Sequence, residues 1–587
     1  TAESVLRAGL RHHPRDLWLN YDLALTMQRL GRVEDAVRHY SVARAIQPDT
    51  AHQLGHALED ADRLDEAIDV FEELSRIHPD NGRDLVCLSD ALARAGRADQ
   101  AVLTRASAIE QLQKQLERSP GDAMALLNLG NAHYAEKRLD QAEAQYRAIL
   151  KNDEKNYLAL VMLSKLLADR KHLGEAGALA RDAVRLAPRE PRTHSTLGQV
   201  LLLEHKYPQA VAEFAEATKL KPNDAEARVN WAVALSSSGQ LEDARKQLET
   251  VIQSHPKNAR AHANLGVVLA RMGRTDDAIR AYREAARLDP SNARIHYSLA
   301  NALADAGATA EAEASFREAI RLDPSKVDAR VNLGVLLNQL DRTEEALVEY
   351  REALKLDPNF PQANYNRGLA LVKQGRMEEA IEAFESVVRH APQQPFGHQQ
   401  LGLLLAKLGR RDEAIEAFRR LWAIKPNDGS VGNNLGVLLG ESGRFDEAVD
   451  VLRKSVRLAP SDPKALYNLG NALVQTGEVD QAANAYRELL KIQPDNPEGH
   501  CNLGQVLRSQ GRYVEALTEL KRGDELGSKR PGWPYPSGRW VQQVQPLADL
   551  EAEAEKWLGD PQRWNELDPT RLAALARIAR NREAWWT

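Results

Sequence analysis

Eight asparagines recur at one place in a repeated stretch of this sequence: Asn128, Asn230, Asn264, Asn332, Asn366, Asn434, Asn468 and Asn502. A carboxamide both donates and accepts hydrogen bonds, so a row of them can hold the backbone of an extended chain without reading its side chains. Asn131 and Asn471 belong to the same candidate row. Packed helices lie about 8–10 Å apart and an extended chain rises about 3.3 Å per residue. One rung would therefore meet roughly every third ligand residue. Tyr297, Tyr365 and Tyr467 stand one place before the rung position and are candidate anchors for apolar ligand side chains. Two structural alternatives stand beside this chemistry: asparagine as part of a duplicated consensus, and tyrosine as packing between neighbouring repeats.

Other reactive residue types give less. Histidines His194, His262, His296, His398 and His500 stand two places before the rung. Separated by a repeat or more, their rings should lie at least about 8–10 Å apart, whereas ligands of one zinc ion sit about 2 Å from the metal. Packing is the expectation for them. Acidic pairs such as Asp276 and Asp277, Glu344 and Glu345, and Glu378 and Glu379 have the composition of an acid–base dyad. They open helices, however, where carboxylates answer the positive end of the helix dipole. No GxxxxGK[ST], HExxH, GxSxG or spaced Cys/His cluster occurs. No catalytic residue, metal site or cofactor is expected.

The elements that must position these residues are set by a period. Prolines at 188, 222, 256, 290, 324, 358, 392, 426, 460 and 494 follow one another at 34 residues. Number each unit so that the small residue of its NLG motif, for example Gly334, is position 8; the rung is then position 6. Apolar residues at positions 4, 7 and 11, and Ala, aromatic and Ala at 20, 24 and 27, predict two amphipathic helices per unit. Glycine inside a helix costs about 0.5–1 kcal/mol relative to alanine, so its repetition at position 8 implies a close crossing of the two helices. Gly-Arg turns, as at Gly273 and Gly375, end the first helix, and the proline ends the second.

The expected organisation has three parts. Residues 1–122 hold irregular repeats: a truncated first unit, one about three residues short, and one seven residues long, whose surplus around residues 109–117 should project as extra helix. Residues 123–526 form the regular array. Residues 527–587 begin with the Pro- and Trp-rich GSKRPGWPYPSGRW and continue as helices near 540–558 and 569–581, expected to cap the last exposed apolar face. The chain opens on Thr1 within a repeat already under way, so a longer protein is expected around it.

A net charge of −6 over 587 residues supplies no basic field for a phosphate backbone, which disfavours nucleic acid. No apolar run approaches the roughly 18 residues of a membrane span. Two distant cysteines, Cys87 and Cys501, form no disulfide framework and fit a reducing cytoplasmic setting.

With period, glycine, aromatic and closing proline agreeing over more than ten units, the chain resembles the tetratricopeptide repeat (TPR) superhelix over residues 1–526. That resemblance implies an all-α, right-handed α-solenoid of about fifteen repeats whose concave groove binds peptides or protein segments, and it places position 6 in that groove. The asparagine row is similar to that of O-linked N-acetylglucosamine transferase. The carboxylate clamp of chaperone-binding members wants Lys at position 5, which no repeat here has. Residues 520–541, LKRGDELGSKRPGWPYPSGRWV, resemble the end of the TPR arm of certain bacterial serine/threonine kinases. This implies a signalling scaffold or recruiting arm; no HRD…N, DFG or VAIK element accompanies it. An RNA-binding helical repeat is the remote alternative, and homo-oligomers through the tail remain open.

Overall fold

The structure is a computed structural model that describes residues 2–586, with the side chains of Glu555 and residues 581–586 outside the description. Among the described residues the secondary structure is helix and turn without strand. The chain divides into two compact units that meet at Asp323 and Pro324. Each is a stack of helix–turn–helix repeats, so the fold is an all-α solenoid.

One repeat shows how the sequence makes the unit. Helix A, Val327–Gln339, and helix B, Thr343–Leu356, are joined by three residues. Tyr350 at position 24 is 1% exposed and lies directly over Gly334: a Cβ built there would sit 2.5 Å from Cε1 of the tyrosine. The same contact joins Gly368 to Phe384, Gly402 to Phe418 and Gly470 to Tyr486, and Leu452 replaces the ring over Gly436. The expected close crossing is thus a ring seated on bare backbone. Ala346 and Ala353 flank it without exposure, keeping the two helices close.

Helix ends follow local chemistry. Asp or Asn caps many A helices through its side chain, as Asp224 does for Ala227 N–H, Asn258 for Ala261 and Asn496 for Gly499. Such a cap contributes about 1 kcal/mol. The turn residue adopts the left-handed region in Gly273 (φ 74°) and Gly375 (φ 76°), and the same place is filled by Lys137, Lys171 and Asp341 at φ 59°, 63° and 59°. Arginine after the turn pairs with an acid three residues on: Arg342 with Glu345 at 2.7 Å, and Arg376 with Glu379 at 2.7 Å. The second acid of each pair is therefore held by the turn as well as by the helix dipole.

The long helix Ala98–Arg118 has 21 residues where the other B helices of complete repeats have 14 or 15. Its surplus does not project freely. Ala108, Ile109 and Leu112 are buried in one cluster with Val86, Ala125 and Leu129, so the added turns fill the space between adjacent A helices. Two turns leave the apolar face in phase, which is why the insertion packs.

At the other end, helix Ser537–Ala552 packs its Val544, Ala548 and Leu550 inward beside helix Tyr513–Gly527, forming the helical cap. Trp533 lies against Gly527, donates from Nε1 to Ser537 Oγ at 3.0 Å, and stacks on Tyr535. Asp568 accepts from the backbone N–H of Thr570 and Arg571 and starts the helix Pro569–Trp586.

A non-glycine residue in the left-handed region costs about 1–2 kcal/mol, partly offset by the entropy glycine adds to the unfolded chain. Lys171→Gly is expected to raise the thermal midpoint, with a gain of about 0.5–1 kcal/mol in chemical denaturation. A lowered midpoint would contradict the strain.

Candidate functional site

The rung asparagines differ in what they touch. In the first unit Asn230 is buried and accepts from Arg260, Asn264 donates to the Arg260 carbonyl at 2.8 Å, and Asn128 is half-buried. Asn131 accepts the Tyr146 hydroxyl at 2.9 Å, within its own repeat. Tyr297 leans on Phe316, with ring centroids 6.2 Å apart. In the second unit Asn332 and Asn366 are half-buried, Asn434 is exposed, and Tyr365 sits edge-on to Phe396.

Three further candidates converge. Asn468 and Asn471 on helix Pro463–Thr476 and Asn502 on helix Pro497–Ser509 line one cavity of about 590 Å³. Asn468 donates to Asn433 Oδ1 at 2.8 Å. Asn502 donates to Asn471 Oδ1 at 3.0 Å and to the Tyr467 hydroxyl at 3.4 Å, and Asn471 also accepts the Tyr486 hydroxyl at 2.7 Å. Carboxamides of adjacent repeats therefore hold one another in place, so their orientations are set before any ligand arrives.

The cavity has further polar and apolar parts. Gln475, Gln505 and Ser509 extend the polar lining, while Val437, Val474, Val506 and Phe445 supply apolar wall. Nε2 of Gln505 is buried without a hydrogen-bond partner, a donor left unmet by the fold. Glu441 is the sole charged residue of this lining among the described residues. Tyr467 meets the chain's own tail, its hydroxyl 3.1 Å from that of Tyr535, so the tail touches the residue that Asn502 bonds. Burial pushes the Tyr486 and Tyr535 phenols well above their ordinary range, with neighbouring phenols adding to the effect, and both remain neutral donors. Such a cavity can hold an uncharged, amide-rich ligand; it offers no nucleophile with an adjacent base.

Residues 475, 505 and 509 lay outside the candidate row, although helical spacing from positions 6 and 9 points to 13 on the same face. Position 4 has a specific role as well. The Nε2 of His194, His296, His398 and His500 each meets the carbonyl of the closing proline six residues earlier, at 2.8 to 3.0 Å. Arg228 and Asn364 serve Pro222 and Pro358 in the same way. These side chains staple the inter-repeat turn to the next helix.

Tetratricopeptide repeat models match residues 105–156, 138–191, 229–293 and 269–327, and a further one residues 371–438. A TPR repeat model matches residues 336–375, 439–477 and 470–511. No curated protein matches significantly. Similar solved structures include the APC/C hetero-tetramer Cut9-Hcn1, at 14% identity over 84% of this chain and 96% of that one, TM-score 0.40. Others are MamA from Desulfovibrio magneticus RS-1, at 23% identity over 29% and 97%, TM-score 0.28, and YrrB, titled a TPR protein with an unusual peptide-binding site, at 25% identity over 30% and 92%, TM-score 0.26.

Burial alone would lower the pKa of His500, but the Glu519 carboxylate 2.6 Å from Nδ1 and the Pro494 carbonyl outweigh it and raise it above the ordinary value of about 6.5. A raised histidine adds stability that is full below its unfolded pKa and is lost as pH rises through the folded one. In an NMR titration His500 should therefore titrate above an exposed histidine, and His500→Gln should remove part of the stability lost as pH rises above about 6.5. A His500 that titrates below about 6.5 would contradict the pair.

Proposed function

Because the chain belongs to the tetratricopeptide repeat family, whose models together match more than half of it, we propose that it is a non-catalytic scaffold that captures an extended segment of a protein partner across its A helices. The observation that carries this reading is the cavity at Asn468, Asn471 and Asn502. Its amides are pre-oriented by one another, and amides both donate to and accept from a main chain. Valine walls beside those amides suit a small apolar side chain, while a lining without cations gives a phosphate backbone no counter-charge. Within the second unit the row extends this reading to Asn332, Asn366 and Asn434, with Tyr365 and Tyr467 as neighbouring anchors; in the first unit Asn128 and Asn264 are the matching positions beside Tyr297, and Asn230 is taken up by Arg260.

The finer setting rests on residues 520–541, whose resemblance to kinase-linked arms supports a recruiting role within a larger signalling protein. In that role the groove would deliver a substrate or regulator to a catalytic domain elsewhere.

Selection of displayed random peptides on the full chain is expected to enrich extended, uncharged sequences that bind at this cavity. Asn468→Ala combined with Asn502→Ala should weaken a selected peptide at least about tenfold, equivalent to about 1.4 kcal/mol, with a small change in melting. Peptides whose affinity is indifferent to both substitutions would remove the cavity from the site.

A further inference from the structure

In the first unit His52, His56 and Cys87 bring one ligand atom each to within 4.8 Å of one another. His52 and His56 stand four residues apart on helix His52–Asp60, so both rings leave the same face. Cys87 comes from the next A helix, Gly82–Arg94. We propose that these three residues form a binding site for a zinc-class divalent ion, with solvent as the fourth ligand.

The imidazoles are already arranged as ligands. His52 Nδ1 is 2.9 Å from the buried Asp84 carboxylate, and His56 Nδ1 is 2.8 Å from Glu59. A carboxylate accepts from an Nδ1–H, which leaves the lone pair on Nε2, the arrangement that metal-bound histidines share. His52 Nε2 is buried with no hydrogen-bond partner. An unpaired buried nitrogen costs about 1–3 kcal/mol, and a cation there would satisfy it.

One ligand pair already stands at coordination distance. Bonds of about 2.0–2.1 Å to nitrogen and 2.3 Å to sulfur place N and S about 3.6 Å apart in a tetrahedral shell. His56 Nε2 lies 3.7 Å from Cys87 Sγ. Two imidazoles with one thiolate suit zinc and exclude magnesium or calcium, which take oxygen. Phe71 packs against both rings and closes one side, while the His56 side chain, 38% exposed, leaves the other open for water.

Cys87 binds the ion as its thiolate. On binding, the S–H bond breaks, the proton leaves to solvent and the sulfur–metal bond forms; both imidazoles bind as neutral rings.

The array itself supplies a second instance of this geometry. His52, His56 and Cys87 occupy positions 5, 9 and, in the next repeat, 6. Tyr467, Asn471 and Asn502 occupy the same three, with the same separations of 35 and 31 residues, and their side chains are in contact. A linear search for spaced Cys and His misses the cluster because Cys87 sits in the repeat after the two histidines.

The test is titration of the full, metal-stripped chain with cobalt(II) chloride, followed by zinc competition. One equivalent should bind, with the visible bands of tetrahedral cobalt and a thiolate charge-transfer band in the near ultraviolet, and zinc should displace it. Cys87→Ser should lose the charge-transfer band, and Glu59→Gln should weaken binding about 10–100-fold. Zinc should raise the melting temperature of the wild type and not of Cys87→Ser, while equal melting of both in chelator shows that the variant is folded. Absence of the thiolate band in the wild type, or Cys87→Ser binding zinc as tightly as the wild type, overturns the proposal. A Cys87→Ser variant that melts early in chelator is replaced by His56→Gln, whose unchanged zinc affinity would overturn it equally.

Discussion

A side chain seated on a bare backbone at position 8 is the contact on which the rest of this structure depends. Tyr350 over Gly334 and Phe384 over Gly368 leave no room for a Cβ and bring helix B down onto helix A. Because the contact recurs in successive repeats, crossing geometry recurs with it. Each repeat buries its apolar face only against a neighbour, so this local constraint propagates along the stack.

Function is built on what that constraint repeats. Positions 5 and 9 of one A helix meet position 6 of the next, which is why Asn502 reaches both Tyr467 and Asn471. The scaffold is indifferent to which residues stand there. Amides and phenols in the second unit make a hydrogen-bonding cavity without cations, and imidazoles with a thiol in the first unit make a set of metal donors. Tyr486 ties the two levels together: its ring covers Gly470 and its hydroxyl holds Asn471.

Much of the fold was legible because period and residue type carry it. The 34-residue spacing, the glycine at position 8 and the alanines at 20 and 27 each report a contact made inside one repeat. Contacts between repeats were harder to read. Nothing in the order of residues says that His500 bonds the Pro494 carbonyl, that Tyr535 returns to Tyr467, or that Cys87 meets His56. The rungs were legible as a row but not as individuals: Asn230 is spent on Arg260 and Asn131 on Tyr146, whereas Asn468 and Asn502 face a cavity. The inserted turns of helix Ala98–Arg118 were visible, yet their burial depends on Val86 and Leu129 in neighbouring helices.

A double-mutant cycle at Gly368 and Phe384 tests the central contact most directly. Alanine in place of glycine normally stabilises a helix interior by about 0.5–1 kcal/mol. With Phe384 present, a Cβ at residue 368 would lie 2.6 Å from the ring, so Gly368→Ala should destabilise the array. With Phe384→Ala already in place, the same substitution should stabilise it, reversing the sign. Equal effects in both backgrounds, with no coupling, would show that ring and glycine do not set the crossing.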